Sequence, residues 1–346
     1  MSGDEFGRLP DGRPVRRLTL GRAPGPVLRL LDLGATVQAL EIGCGDGVRR
    51  DVVLGQATVA DYLSSTDYLG STVGRYANRI AGGRFELDGT EVRVGVHDRG
   101  HHLHGGPDGF DRRTWSVEEC SATYATLGLV SPDGDQGFPG TVHATVRYDV
   151  LDDRVIVRFE ATTDAPTVVN LTNHAYFNLD GAGAGTIDEH ELTVLADEYT
   201  PVDEAGIPLG DHAPVAGTPF DLRAPTTLGP VVRSGDGQVV RARGLDHNFV
   251  LRGSGMRPAA VLTSRRTGTT LAVHTDQPGM QVYTGNFLDG SRPSAAGGRH
   301  RQGDGIALEP QRFPDTPHHP AWPTAVLRPG GTYRAALEWR FGAVAE

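Results

Sequence analysis

Apolar and polar positions alternate with a period of two from one end of the chain to the other. In "RVIVRFEATT", Val155, Val157, Phe159 and Ala161 fall on one face, and Arg154, Ile156, Arg158 and Glu160 on the other. This is the pattern of a strand with one face in a core. "TVHATVRYDV", "HELTVLA", "AAVLTSRR", "TTLAVHT" and "GMQVYTG" predict further strands. "TAVLRPGGTYRAALEWRF" predicts two more, joined at Pro329-Gly330-Gly331, a turn signal between apolar runs. No window keeps a 3.6-residue apolar stripe long enough for a substantial helix; "TVADYLSS" is the best short candidate. Many short strands punctuated by turns point to a sandwich or barrel rather than to βαβ units. No repeat, linker or low-complexity segment interrupts the pattern, so residues 1–346 are expected to form one large β domain.

One stretch competes with this picture. "LEIGCGDG", Leu40 to Gly47, is an apolar run entering three alternate glycines, the way a methyltransferase presents its cofactor loop. Such a loop must be followed by a helix and then by alternating strands and helices. Here "ATVQALEI" before it and "VRRDVVLG" after it both read as strands, and Asp46-Gly47 is a hairpin turn signal. Leu40 to Gly55 is therefore predicted to be a hairpin.

Composition narrows the function. Gly (47) and Pro (23) make up about a fifth of the 346 residues and are spread between apolar runs, as in a turn-rich folded protein. A net charge of −10 gives no general attraction to nucleic acid or to an anionic membrane. No run of apolar residues reaches the roughly 18 needed to span a bilayer. The N-terminus has early acids and no apolar signal core, so the cytoplasm is the expected location. Cys44 and Cys120 are too few for a disulfide framework or a zinc cluster. All 33 basic residues are arginine, which excludes Schiff-base chemistry, pyridoxal phosphate attachment and a P-loop lysine.

Two segments concentrate groups capable of chemistry. "HDRGHHLHGG" gathers His97, His101, His102 and His104, but no further residues have the spacing of a known metal set. A single histidine hydrogen-bonded to a polar ligand fits better, and His104, beside Gly105 and Gly106, is the candidate. In "NLTNHAYFNL", Asn170, Thr172, His174, Tyr176 and Asn178 alternate with mostly apolar neighbours, so on one strand they would form a polar stripe suited to a hydroxyl-rich ligand. "GRYANRI" places Arg75 and Arg79 around Asn78, "GLDHNFVL" sets Asp246 ahead of a strand, and "ALEPQRFPD" sets Glu309 at a strand end. By themselves these last three read as solvated charge.

Taken in order, the stretches "DVVLG", "DYLSSTDYLGSTVGRYANRI", "LHGGPDGFDRRTW", "SPDGDQGFPG", "NLTNHAYFNL", "ADEYTPVDE", "LDHNFVL", "TDQPGMQVYTGNFLDG" and "LEPQRFPD" resemble the aldose 1-epimerases, or galactose mutarotases, along nearly the whole chain. The Asn-x-Thr-Asn-His-x-Tyr-Phe-Asn-Leu run carries most of the specificity. The resemblance implies a large antiparallel β-sandwich holding a free aldohexose, galactose or glucose, in a cleft on one sheet. By motif match it makes His174 the general acid and Glu309 the general base, with His104 assisting at the ring oxygen. Asn78, Arg79, Asp246 and Gln281 would bind sugar hydroxyls, and Tyr176 would line the cleft. One departure is "PDTPHHPAWP", where His318 and His319 replace a pair that is often Asn-Gln and were expected to border the cleft.

Interconverting anomers requires opening a hemiacetal: a base takes the C1 hydroxyl proton while an acid protonates the ring oxygen. No redox step, leaving group or phosphate is involved, so no cofactor or metal is expected. An imidazole and a carboxylate on opposite sides of the sugar would suffice. At ordinary values near 4.3 and 6.5, Glu309 would be charged and His174 protonated together only between those limits. A sugar-binding protein without catalysis is the alternative, and it would have no need of the acid–base pair.

Overall fold

The structure is a computed structural model describing residues 3–344, and it is built from antiparallel strands. Among the described residues the α-helices are Val59–Ser64, Leu228–Val232 and Gly237–Ala242, none longer than six residues. None is long and apolar enough to cross a membrane.

The larger sheet has nine strands. Val142–Val150 pairs with Arg154–Thr163, and the end of the chain returns to lay Tyr333–Ala343, the central strand, against the latter. The predicted alternation holds: Val155, Val157, Phe159 and Ala161 are buried. In register with them stand Trp339, Leu337, Ala335 and Tyr333. Burial of such apolar side chains contributes roughly 1.5–3 kcal/mol each. Val326–Leu327 and Tyr333–Ala343 are the two strands expected around Pro329, but they do not pair with each other. The first pairs with Thr167–Val168 in a separate two-stranded sheet.

The second sheet has six strands, in the order Tyr176–Phe177, Ile306–Gln311, Gly279–Tyr283, Asp246–Leu251, Ala196–Thr200 and Ala213–Pro214. Ile306–Gln311 is buried along its whole length. Ile306 and Leu308 join the main core, while Glu309 faces the other way. The two sheets meet in that core, where Phe177 packs edge-on against Trp339 at 5.3 Å.

A five-stranded N-terminal sheet contains the hairpin read from "LEIGCGDG". Thr36–Gly43 pairs with Arg49–Asp51. The turn is closed by bonds from the Cys44 N–H to the Val48 carbonyl and from the Gly47 N–H to the Cys44 carbonyl. Gly47 takes φ +80, which a residue with a side chain rarely adopts. A strand, not a helix, follows it, so the methyltransferase reading is discarded.

Candidate active site

The cleft lies on the face of the six-stranded sheet turned away from the core, and its volume is about 640 Å³, within the range of small-molecule sites. All eight residues to which the family resemblance gives a role line it: His104, His174, Glu309, Asn78, Arg79, Tyr176, Asp246 and Gln281. They arrive from separate parts of the chain. Glu309 and Gln281 are cross-strand partners, Asp246 opens the next strand, and Tyr176 belongs to the edge strand.

His104 and Asn78 hold each other. The His104 N–H donates to the Asn78 carbonyl, and the Asn78 N–H donates to His104 Nδ1 at 3.1 Å. A neutral His104 therefore carries its proton on Nε2, the nitrogen left for a ligand. Gly105 permits this arrangement, because a Cβ there would lie 1.8 Å from the Gly74 carbonyl oxygen. Arg79 is fixed by a 2.9 Å bond from its Nε to Asp98, and Gln281 donates from Nε2 to Asp246 at 2.7 Å.

The "NLTNHAYFNL" segment is not a single strand. It breaks into Thr172–Asn173 and Tyr176–Phe177, and so its polar residues do not share one face. Asn170, Thr172 and Asn178 are buried and bond backbone carbonyls of Ala77, Pro310, Gly185 and Asp304. They are framework, and only His174 and Tyr176 reach the cleft. Tyr176 donates its hydroxyl to the Asp67 carbonyl at 2.8 Å and stacks its ring on His174 at 4.9 Å. It therefore offers a ring face, not a free hydroxyl. Arg75, expected beside Arg79, points elsewhere and bonds Ser131 and the carbonyls of Pro132, Pro139 and Gly140.

His174 Nε2 lies 3.6 Å from Glu309 Oε1, too long for a hydrogen bond and short enough for one ligand oxygen to touch both. The expectation of an acid and a base on opposite sides of the sugar is thus corrected. Both groups stand on the floor, too close together for a sugar ring to lie between them.

Burial also reverses the expected order of their pKa values. It pushes Glu309 well above the ordinary carboxylate value; the charge of Asp246 adds to the effect and Arg79 partly offsets it. Burial pulls His174 down to about 4. No pH then favours carboxylate and imidazolium independently, and the pair holds one proton between them over a wide range. Burial, with His174 and Arg79 nearby, likewise keeps His104 neutral. On the floor, His174 Nδ1, Glu309 Oε2 and Gln281 Oε1 are buried without a protein hydrogen-bond partner among the described residues. Buried polar atoms ordinarily have partners, so the floor carries hydrogen-bonding capacity that the protein itself leaves unused.

Several cleft residues were not read from the sequence. Tyr68 packs its ring 4.5 Å from His104 and 5.9 Å from His174. Tyr283 sits 6.2 Å from His174, and Arg99, Arg241, Arg243 and Phe287 form the rim. Nine non-glycine residues among those described have left-handed backbone; Tyr68, Asn78, Arg99, His104 and Arg243, five of them, line this cleft. Such backbone clusters at functional sites. His318 and His319 are not cleft residues. Both lean on buried Asp315, and His319 stacks on Trp322 at 3.9 Å. Of the other histidines, His102 donates from Nδ1 to the Gly95 carbonyl at 2.7 Å, His101 accepts from the Gly82 N–H, and His97 lines the cleft with its ring 5.4 Å from that of His102.

The chain is similar to proteins of one kind. Residues 16–340 match the aldose 1-epimerase family. The aldose 1-epimerase of Escherichia coli (strain K12) is 42% identical over 337 residues, 96% of each chain. The galactose mutarotase of Homo sapiens is 40% identical over 340 residues, 97% of each chain. Among solved structures, galactose 1-epimerase from Lactobacillus acidophilus superposes with a TM-score of 0.86 at 31% identity, covering 99% of this chain and 98% of that one. The aldose epimerase homologue from C. elegans gives 0.89 at 30% identity, covering 96% of this chain and 100% of that one.

Proposed function

We propose, on the premise that the chain belongs to the aldose 1-epimerase family, that it interconverts the α and β anomers of a free aldohexose, galactose or glucose, with Glu309 and His174 exchanging one proton. The supporting observation is the buried Glu309–His174 pair, 3.6 Å apart on the floor of a polar cleft.

The C1 hydroxyl and the ring oxygen are bonded to the same carbon, so a sugar presenting that edge can meet both groups at once. In the reacting tautomer the shared proton is on His174 and Glu309 is charged. Glu309 takes the C1 hydroxyl proton, His174 gives its proton to the ring oxygen, and the C1–O5 bond breaks to leave an open-chain aldehyde. The pair is now neutral, the form that burial favours. Ring opening thus removes the buried charge separation. Rotation about C1–C2 followed by the reverse transfers closes the other anomer. His104 donates from Nε2 toward the ring oxygen, while Asn78, Arg79, Asp246 and Gln281 hold hydroxyls. Proton transfer by positioned groups contributes on the order of 10²–10⁴-fold, and the steps need no cofactor.

A non-catalytic sugar binder would gain nothing from a carboxyl and an imidazole both displaced against their charged forms. Polarimetry on galactose and glucose, each started from one pure anomer, tests the proposal. Relaxation faster than in buffer supports it, and unaccelerated relaxation with both sugars contradicts it.

A further inference from the structure

Above the buried floor the cleft has a rim of different chemistry. Arg99, Arg241 and Arg243 line it, all exposed, around Phe287, which is 42% exposed. The guanidinium carbons of Arg99 and Arg243 lie 5.8 and 5.6 Å from the centre of the Phe287 ring. Contact with an aromatic ring orients a guanidinium without consuming its N–H donors. Among the described residues the Arg243 guanidinium has no hydrogen-bond or ion-pair partner. That of Arg99 has only a 3.4 Å contact to the Glu204 carbonyl and a 3.6 Å approach to Asp98, whose carboxylate is already bonded by Arg79 at 2.9 Å. Arg241 bonds only the Val202 carbonyl.

The backbone supplies an independent observation. Arg99 has φ +46 and Arg243 φ +60, conformations that glycine or asparagine adopts at lower cost. Each is followed by a glycine, Gly100 or Gly244, yet the left-handed position itself carries the arginine. Tyr283 connects rim to floor, its ring 6.2 Å from His174 and 6.3 Å from Phe287. Arg99 and Arg243 thus line the same cleft as Glu309 and His174. Glu204 is the one exposed acid on this rim.

Building on the mutarotase reading, we propose that Arg99 and Arg243, set by Phe287, form an oxyanion subsite that selects aldoses bearing an anionic substituent away from C1, a carboxylate or a phosphate ester. The substituent accepts hydrogen bonds from the free guanidinium edges while C1 and the ring oxygen remain at Glu309 and His174.

The test compares kcat/KM for galactose, galacturonate and galactose 6-phosphate by polarimetry, in the wild type and in Arg99→Gln/Arg243→Gln. A hydrogen bond to a charged group is worth about 1.5–3 kcal/mol, so the charged-to-neutral ratio is expected to fall about tenfold or more in the double variant. Preference for galacturonate alone identifies a carboxylate, and preference for the phosphate ester alone identifies a phosphate. In either case the advantage should shrink as salt rises. A ratio unchanged by the double substitution overturns the subsite. If the wild type epimerises galactose but favours neither charged sugar, the subsite falls alone. If it epimerises no sugar, the mutarotase reading falls and the subsite with it.

Discussion

Strand Arg154–Thr163 in the nine-stranded sheet alternates buried and more exposed residues, whereas strand Ile306–Gln311 in the six-stranded sheet is buried at every position. The first turns one face to the core and one outward. The second has core on one face and the cleft on the other, so its buried set includes Glu309 and Gln311 beside Ile306 and Leu308. No strand of the larger sheet contributes a cleft residue; five cleft residues come from the smaller one. Burying polar side chains is destabilising unless they find partners. The smaller sheet carries that penalty at Glu309 and Gln281, whose buried side chains line the cleft.

This division gives an ordered set of expected effects. The largest is at Glu309. Glu309→Gln keeps the shape and cannot accept a proton, so kcat should fall on the order of 10²–10⁴-fold while sugar still binds. The same variant should be more stable than the wild type at neutral pH. A carboxyl whose folded value is raised gives full stability only below its unfolded value near 4.3, and loses it as pH rises through the folded one. The gap in melting temperature should therefore widen from pH 4 to pH 8. A variant that is inactive and also less stable would break the contrast between the sheets.

Phe159→Ala makes the opposite test. Phe159 is 1% exposed in the core of the larger sheet, and its truncation should cost about 3–5 kcal/mol in urea unfolding. The pH profile of the folded enzyme should not move. A shifted profile would show that the larger sheet takes part in setting the site.

Tyr176→Phe is a smaller change. It removes the bond to the Asp67 carbonyl and keeps the ring on His174, so about 1 kcal/mol of stability should be lost, with kcat reduced far less than in Glu309→Gln. The smallest effect is at His318, which Asp315 holds above its ordinary value. That pairing stabilises fully below about 6.5 and is lost as pH rises through the raised folded value. His318→Gln should therefore lower the melting temperature slightly at pH 5.5 and less at pH 9. For a side chain 34% exposed the effect should stay within about 1 kcal/mol.

The same contrast explains what could be read in the chain. Val155 to Ala161 announce their sheet because one side of it is polar and outward. Asp46-Gly47 announces its hairpin through turn chemistry. Ile306–Gln311 gives no periodic signal, since both of its faces are buried. The residues brought to the cleft floor were legible through their resemblance to a family motif, not through alternation. Tyr68, Tyr283, Phe287 and the rim arginines lie in sequence with no local pattern to mark them, and left-handed backbone becomes visible only in three dimensions. The expected pH window failed for a related reason: ordinary values for Glu309 and His174 ignore burial, which moves the two in opposite directions.

The most direct test is the pH dependence of kcat/KM for the wild type from pH 3 to pH 10, corrected for spontaneous mutarotation. A pair sharing one proton should give a broad plateau, with an acid limb near the about 4 of His174 and an alkaline limb set by the raised value of Glu309. A narrow bell confined between about 4.3 and about 6.5, already falling at pH 7, would mean that the two groups titrate separately at ordinary values and would contradict the shared proton.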